Sequence, residues 1–176
     1  NLLVYIVQLI LFWIALFWVQ ELCFVHFDQA RLEGITTEAI QYGFQRALPM
    51  DLATACYLTL PIALCGIILL FREIRGLRRS LPILSAVFVV VSCFINVCDI
   101  ALFTAWGTKV NHKALSYLAF PEEVLHATAG APVAQLIVVF LAQCALALLV
   151  LFRIDHRRSF LTHTKWPMVV APLLLP

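Results

Sequence analysis

The sequence predicts an all-α integral membrane protein with four complete transmembrane helices, the start of a fifth, and short interfacial helices on the extracytoplasmic side. Three observations lead there. Hydrophobic residues make up 63% of the chain and charged residues 12%, with a mean hydropathy of +0.97. Soluble domains carry roughly 25% charged and about 45–50% apolar residues, so this excess is more than a water-soluble core of this size can bury. The apolar residues also gather into runs that approach or exceed the ~20 needed to cross ~30 Å of hydrocarbon. Finally, Lys and Arg concentrate in alternate connections, which is how membrane proteins encode topology.

The first span covers residues 2–24, built on LLVYIVQLILFWIALFWV (Leu2–Val19) with an extension to Phe24. The connection that follows is longer than a link needs to be. Within it Thr36 or Thr37 can cap a helix reaching Arg46, and Glu38 suits its first turn. Ile40, Phe44 and Leu48 share one face, as a helix lying in the interface requires. The second span, Asp51–Phe71, contains Pro61 and is expected to kink there. The third, Leu81–Phe103, has Pro82 in its first turn, where a missing N–H costs nothing. The fourth runs over Ala131–Phe152. A last run, Trp166–Pro176, has about half the length of a crossing and reads as a truncated fifth span. Asn1 is not an initiator Met, and no basic stretch precedes the first run as a signal peptide would require. Residues 1–176 therefore read as one transmembrane domain belonging to a longer chain.

Orientation follows from charge. Arg72, Arg75, Arg78 and Arg79 lie after the second span, and Arg153, Arg157, Arg158 and Lys165 after the fourth. Only Arg31, Arg46, Lys109 and Lys113 lie in the other two connections. The positive-inside rule makes the Arg-rich connections cytoplasmic and the amino terminus cytoplasmic with them. Such clusters also suit anionic lipid headgroups, although topology alone accounts for them. The net charge of +2 gives no basis for a nucleic-acid partner.

Of the six cysteines, Cys56, Cys65, Cys93, Cys98 and Cys144 sit in apolar runs and read as small hydrophobes. Cys23 lies beside the first span. No CxxC or Cys/His spacing indicates a metal site. The histidines (His26, His112, His126, His156 and His163) match no ligand pattern. No Gly-rich phosphate loop, nucleophile elbow or HExxH occurs. No cofactor is expected in this chain, and nothing in it makes a complete enzyme.

The polar chemistry falls on the outer side, chiefly in FINVCDIALFTAWGTKVNHKALSYLAFPEEVL, Phe94–Leu125. Counting ~1.5 Å per residue from Leu81 puts Asp99 roughly 27 Å along its helix, at the outer boundary of the membrane. Asp51 enters the second span at the same level. Trp106 and Tyr117 suit the aromatic belt, and Gly107 permits a turn. The stretch Ala114–Ala127 reads as a short amphipathic helix broken by Pro121, with Glu122 and Glu123 opening its second half. Two readings stay open. Asp51 can be a helix N-terminal acid, and Asp99 an interfacial acid paired with Arg46 or Lys109. Alternatively Arg46, Asp51, Asn96, Asp99, Trp106, Lys109, Asn111 and Tyr117 line a pocket for a lipid headgroup.

Two phrases, ALPMDLATACYLTLP (Ala47–Pro61) and NVCDIALFTAWGTKVNHKALSYLAFPEEVL (Asn96–Leu125), resemble the membrane domain of lipoteichoic acid synthase-like proteins. These belong to the sulfatase/alkaline phosphatase superfamily. The family shows a run like R-x-D-L-S-x-A-x-Y entering its second span. It then shows N-x-x-D, W-G-x-R-x-N, L-x-Y-L and P-x-E in order. Met50–Tyr57, Asn96 with Asp99, Trp106–Asn111, Leu115–Leu118 and Pro121–Glu123 match these in sequence. Ala53 stands where Ser is common, Lys109 where Arg is common, and Pro49-Met50 where an Arg often lies.

The resemblance implies a five-helix domain in the bacterial cytoplasmic membrane, followed after residue 176 by an extracytoplasmic sulfatase-like domain with a Thr nucleophile and a divalent metal, Mn or Zn. That enzyme would transfer or hydrolyse a phosphoglycerol or phosphoethanolamine headgroup. This chain would be its anchor and lipid-substrate platform, with membrane lipids and the catalytic domain as partners. The alternative is a stand-alone sensory or transport module in which Asp99 and Asn96 belong to an ion or solute path.

Overall fold

The computed structural model describes residues 2–29, 35–72, 74–112, 116, 122 and 132–156. Four helices account for almost all of them: α1 (Leu2–Phe27), α2 (Thr37–Phe71), α3 (Arg75–Trp106) and α4 (Val133–His156). No strand occurs among the described residues. Each helix is long and apolar enough to cross a membrane. The expected fifth span, Tyr117, the cationic residues Arg157, Arg158 and Lys165, and most of the expected helix at Ala114–Ala127 lie outside the described residues.

The helices begin and end differently from the sequence reading. The separate interfacial helix before the second span is absent. Thr37–Phe71 is instead one continuous helix, about 52 Å long at 1.5 Å per residue, with Pro49 and Pro61 inside it. Thr36 caps it, accepting the Ala39 N–H on Oγ1 at 3.3 Å, and Glu38 occupies the first turn as expected. Pro49 does not break the helix because the carbonyl it deprives of a donor is that of exposed Gln45, which solvent can satisfy. α3 starts at Arg75 rather than Leu81, so Pro82 lies two turns inside it. α4 starts after Pro132, whose carbonyl accepts the Leu136 N–H at 3.0 Å, and continues past Phe152 to His156. α1 continues to Phe27.

α1 packs mainly along α2 and α3 along α4, and α1 also touches both members of the second pair. The buried residues of α1 (Tyr5, Leu9, Phe12, Trp13, Leu16 and Gln20) recur at three- and four-residue spacing, forming one inward stripe. Leu3, Val7, Leu11, Trp18 and Leu22 on the other side are exposed, as a lipid-facing surface requires. Lipid is as apolar as leucine, so burial gives little drive to join membrane helices, and close packing of small residues matters more. Ala55 and Gly66 of α2, Ser85 and Cys93 of α3, and Cys144 and Ala147 of α4 supply that packing. At Gly66 an added Cβ would lie 2.8 Å from Leu2 Cδ1. At the same end Tyr5 Oη donates to Asp155 Oδ1 at 3.0 Å, closing the first helix on the last described one.

Trp13 is fully buried and its indole N–H has no hydrogen-bond partner among the described residues. We expect Trp13→Phe to be tolerated, because it removes that unpaired donor along with some volume. Trp13→Ala should cost about 3–5 kcal/mol through the cavity it opens. Melting temperatures of the two variants in one detergent measure this, and equal values would contradict the packing described.

Candidate functional site

Buried polar side chains meet between three helices near the end of the bundle formed by the last turns of α1 and α3 and the first of α4. Asn96 Nδ2 donates to the Gln20 backbone carbonyl at 3.2 Å, and Gln143 Nε2 donates to Asn96 Oδ1 at 3.1 Å. Gln20 Nε2 donates to Ser92 Oγ at 3.1 Å and, more weakly, to Cys93 Sγ at 3.8 Å. Cys93 and Cys144 are both buried. The three amides Gln20, Asn96 and Gln143 lie about 10–15 Å inside the helix ends by residue count, and Ser92 and Cys93 about 20 Å inside. Water is scarce at that depth, so amides must satisfy one another. Asn96, with donor and acceptor on one short side chain, does this for α1 and α4 together. Its structure-given role is thus to join helices.

Closer to the end, the chain folds back. Gly107 adopts a left-handed conformation (φ 70°) and its N–H caps the Phe103 carbonyl at 2.8 Å. A side chain at that φ would be strained, so this position favours Gly as the sequence suggested. The reversed chain lets Val110 donate its backbone N–H to Asp99 Oδ1 at 2.7 Å. It also sets Lys109 Nζ 4.4 Å from the centroid of the Phe24 ring, while Phe24 packs edge-on against Phe103 at 4.9 Å. From there the Lys109 charge acts on two carboxylates, Glu21 of α1 and Asp51 of α2, and these two also feel each other. One oxygen of each, Glu21 Oε2 and Asp51 Oδ2, is buried without a hydrogen-bond partner among the described residues.

Several candidates therefore converge and others do not. Asp51, Asp99, Lys109 and Asn96 belong to one end of the bundle. Trp106 ends α3 and is 38% exposed, while Asn111 is exposed on the returning chain. Arg46 is held elsewhere: its Nε donates to Tyr42 Oη at 2.8 Å and its guanidinium carbon lies 5.1 Å from that ring. Among the described contacts neither Arg46 nor Lys109 is the partner of Asp99, whose ligand is a backbone amide. The sequence reading carried the first span to Phe24, so Gln20 and Glu21 lay inside it, but it singled out neither as a site residue. The spacing Leu9, Trp13, Leu16, Gln20 places Gln20 on the inward stripe.

Beside this cluster, the end of α1 and the start of α4 enclose an open cavity of about 570 Å³ lined by His26, Phe27, Ala134, Gln135, Val138 and Val139. No three His, Cys, Asp or Glu side chains gather as a metal site among the described residues.

No protein family, curated protein or solved structure matches this chain.

The Asp99–Val110 bond has a direct consequence for the returning segment. Asp99→Ala should free residues 108–111 and speed their cleavage by an added protease severalfold, whereas Asp99→Asn keeps an acceptor oxygen and should change the rate little. Identical rates in wild type and Asp99→Ala would show that the carboxylate does not hold the loop.

Proposed function

We propose that this chain is the membrane anchor and lipid-substrate platform of a lipoteichoic acid synthase-like phospho-headgroup transferase or hydrolase. The observation that carries the reading is the assembly of Asp51, Glu21, Asp99 and Lys109 at one end of four membrane-length helices. A phosphoglycerol or phosphoethanolamine headgroup is polar and remains attached to apolar chains. It therefore needs charged partners at the membrane boundary, with apolar space next to them. Lys109 offers the phosphate a cation. The adjacent cavity, polar at His26 and Gln135 and apolar at Val138 and Val139, accommodates the glycerol and the first part of an acyl chain.

In this reading the cluster faces the outside of a bacterial cytoplasmic membrane, and the Arg-rich turn between α2 and α3 faces the cytoplasm. The chemistry belongs to a separate extracytoplasmic sulfatase-like domain carrying a Thr nucleophile and a divalent metal, Mn or Zn. This chain's own residues orient the headgroup and keep the lipid at the boundary. The buried amides Gln20, Asn96 and Gln143 offer a solute path little support, because each is engaged in hydrogen bonds between helices.

The test uses the full-length protein in proteoliposomes, following headgroup release from phosphatidylglycerol and phosphatidylethanolamine. Lys109→Gln and Asp51→Asn should each lower transfer about tenfold with unchanged expression and melting temperature. Undiminished transfer in both variants would leave the bundle as an anchor only. A coding sequence that stops shortly after Pro176, without a domain bearing Thr and metal-binding Asp and His residues, would overturn the assignment.

A further inference from the structure

The cavity between the end of α1 and the start of α4 has its polar and apolar walls in a fixed order. His26 lies in the last turn of α1 and Gln135 in the first turn of α4. Val138 and Val139 follow one turn further along α4, about 4.5–6 Å deeper in the bundle. No Asp, Glu, Lys or Arg lines the cavity among the described residues. Its volume of about 570 Å³ is that of a small-molecule site. It also opens sideways. Val138 is 65% exposed, and Ile137 and Leu141 of α4 and Leu22 of α1, one turn beneath His26, are exposed as well. A molecule entering from the bilayer therefore meets an apolar approach and then a polar mouth at the membrane boundary.

That order matches the linkage region of a glycerolipid, which lies beneath the phosphate and above the hydrocarbon. Its ester carbonyls accept hydrogen bonds, donate none and carry no charge. Neutral His26 has one ring N–H and Gln135 has two amide N–H groups to offer them. A phosphate would find no cation in this lining. A bare hydrocarbon chain would leave both polar side chains against apolar matter, which is costly. The cavity also adjoins the charged cluster. Lys109 Nζ is 4.4 Å from the centroid of the Phe24 ring, and Phe27, three residues on, is part of the cavity wall. Residues three apart on a helix are neighbours, about 5–6 Å between Cβ atoms. In one lipid the phosphate and the nearer ester carbonyl are a few covalent bonds apart, so both places can be filled by the same molecule.

We propose that this cavity binds the ester-linked glycerol backbone of a diacyl lipid, and that His26 and Gln135 select ester over ether linkage by donating to its carbonyls. The inference rests on the platform reading for the headgroup that Lys109 receives, and it assigns the class of lipid. An ether-linked lipid of the same shape has no carbonyl there and leaves both donors unpaired.

The test places the full-length protein in nanodiscs of diether phosphatidylcholine containing equal small fractions of diester and diether phosphatidylglycerol. Mass spectrometry then measures which backbone is retained after detergent extraction, whatever its headgroup. Wild type should retain diester over diether lipid about tenfold, and His26→Phe and Gln135→Leu should each cut that preference about threefold, as expected for one hydrogen bond. Both substitutions lie at helix ends outside the buried core and should leave the melting temperature unchanged. Val139→Trp, which fills the cavity, should release both lipids. Equal retention of the two lipids by wild type, or an unchanged preference in both His26→Phe and Gln135→Leu, would overturn the proposal. Lys109→Gln separates it from the platform reading, since that variant should lose headgroup transfer yet keep the ester preference. A preference that vanishes in Lys109→Gln and persists in His26→Phe would put recognition at the charged cluster and sink the cavity. An ester preference in a protein without headgroup transfer would uphold the cavity and remove the platform.

Discussion

The Asn96 carboxamide is the interaction around which the bundle is organised. Apolar contacts hold membrane helices together only weakly and with little preference for register, because lipid offers nearly equivalent contacts. A buried amide behaves differently, since its donor and acceptor have few alternatives to specific partners. Asn96 gives its N–H to the α1 backbone and receives one from Gln143 of α4, so three helices share a single longitudinal alignment. Sliding any of them by one turn, about 5.4 Å, would break at least one of these bonds. Gln20 adds its own bonds to Ser92 and Cys93, locking the same level from the α1 side.

Once that alignment is set, the ends follow. With α1 and α3 in register, Phe24 reaches Phe103, and the chain leaving α3 passes over Phe24 as Gly107 turns it back. That brings Lys109 into the field of Glu21 and Asp51 and lets Asp99 receive the Val110 amide. The charged cluster is thus downstream of a neutral one. At the far end the same alignment allows Leu2 to meet Gly66 and Tyr5 to reach Asp155.

Much of the architecture was legible from composition and run length: four helices long and apolar enough to cross a membrane, the Thr36 cap and the Gly107 turn all appear where the residues suggest. Helix limits were less legible, for a common reason. The sequence reading separated a helix reaching Arg46 from a span starting at Asp51 and put Pro82 in a first turn, yet Pro49 and Pro82 both sit well inside helices. At Pro49 the carbonyl left without a donor is exposed, so the helix continues at modest cost. The site was half legible. Asp51, Asn96, Asp99 and Lys109 stand out as polar residues beside apolar runs, but their partners do not. Asp99 binds a backbone amide, which no side-chain pattern announces, and Glu21 lies within the first apolar run, where nothing in the pattern pairs it with Asp51 or Lys109.

The Tyr5–Asp155 bond joins residues 150 positions apart, and the Gln20–Asn96 bond joins residues 76 apart. During synthesis at 5–20 residues per second these partners emerge roughly 8–30 s and 4–15 s after the first residue of each pair. Until then α1 rests in the bilayer or the insertion machinery with Gln20 and Tyr5 lacking their final partners. The bundle therefore cannot mature helix by helix as each one inserts. Its assembly waits on α4, and an α1 released early is the species most exposed to mispairing and to quality-control proteases.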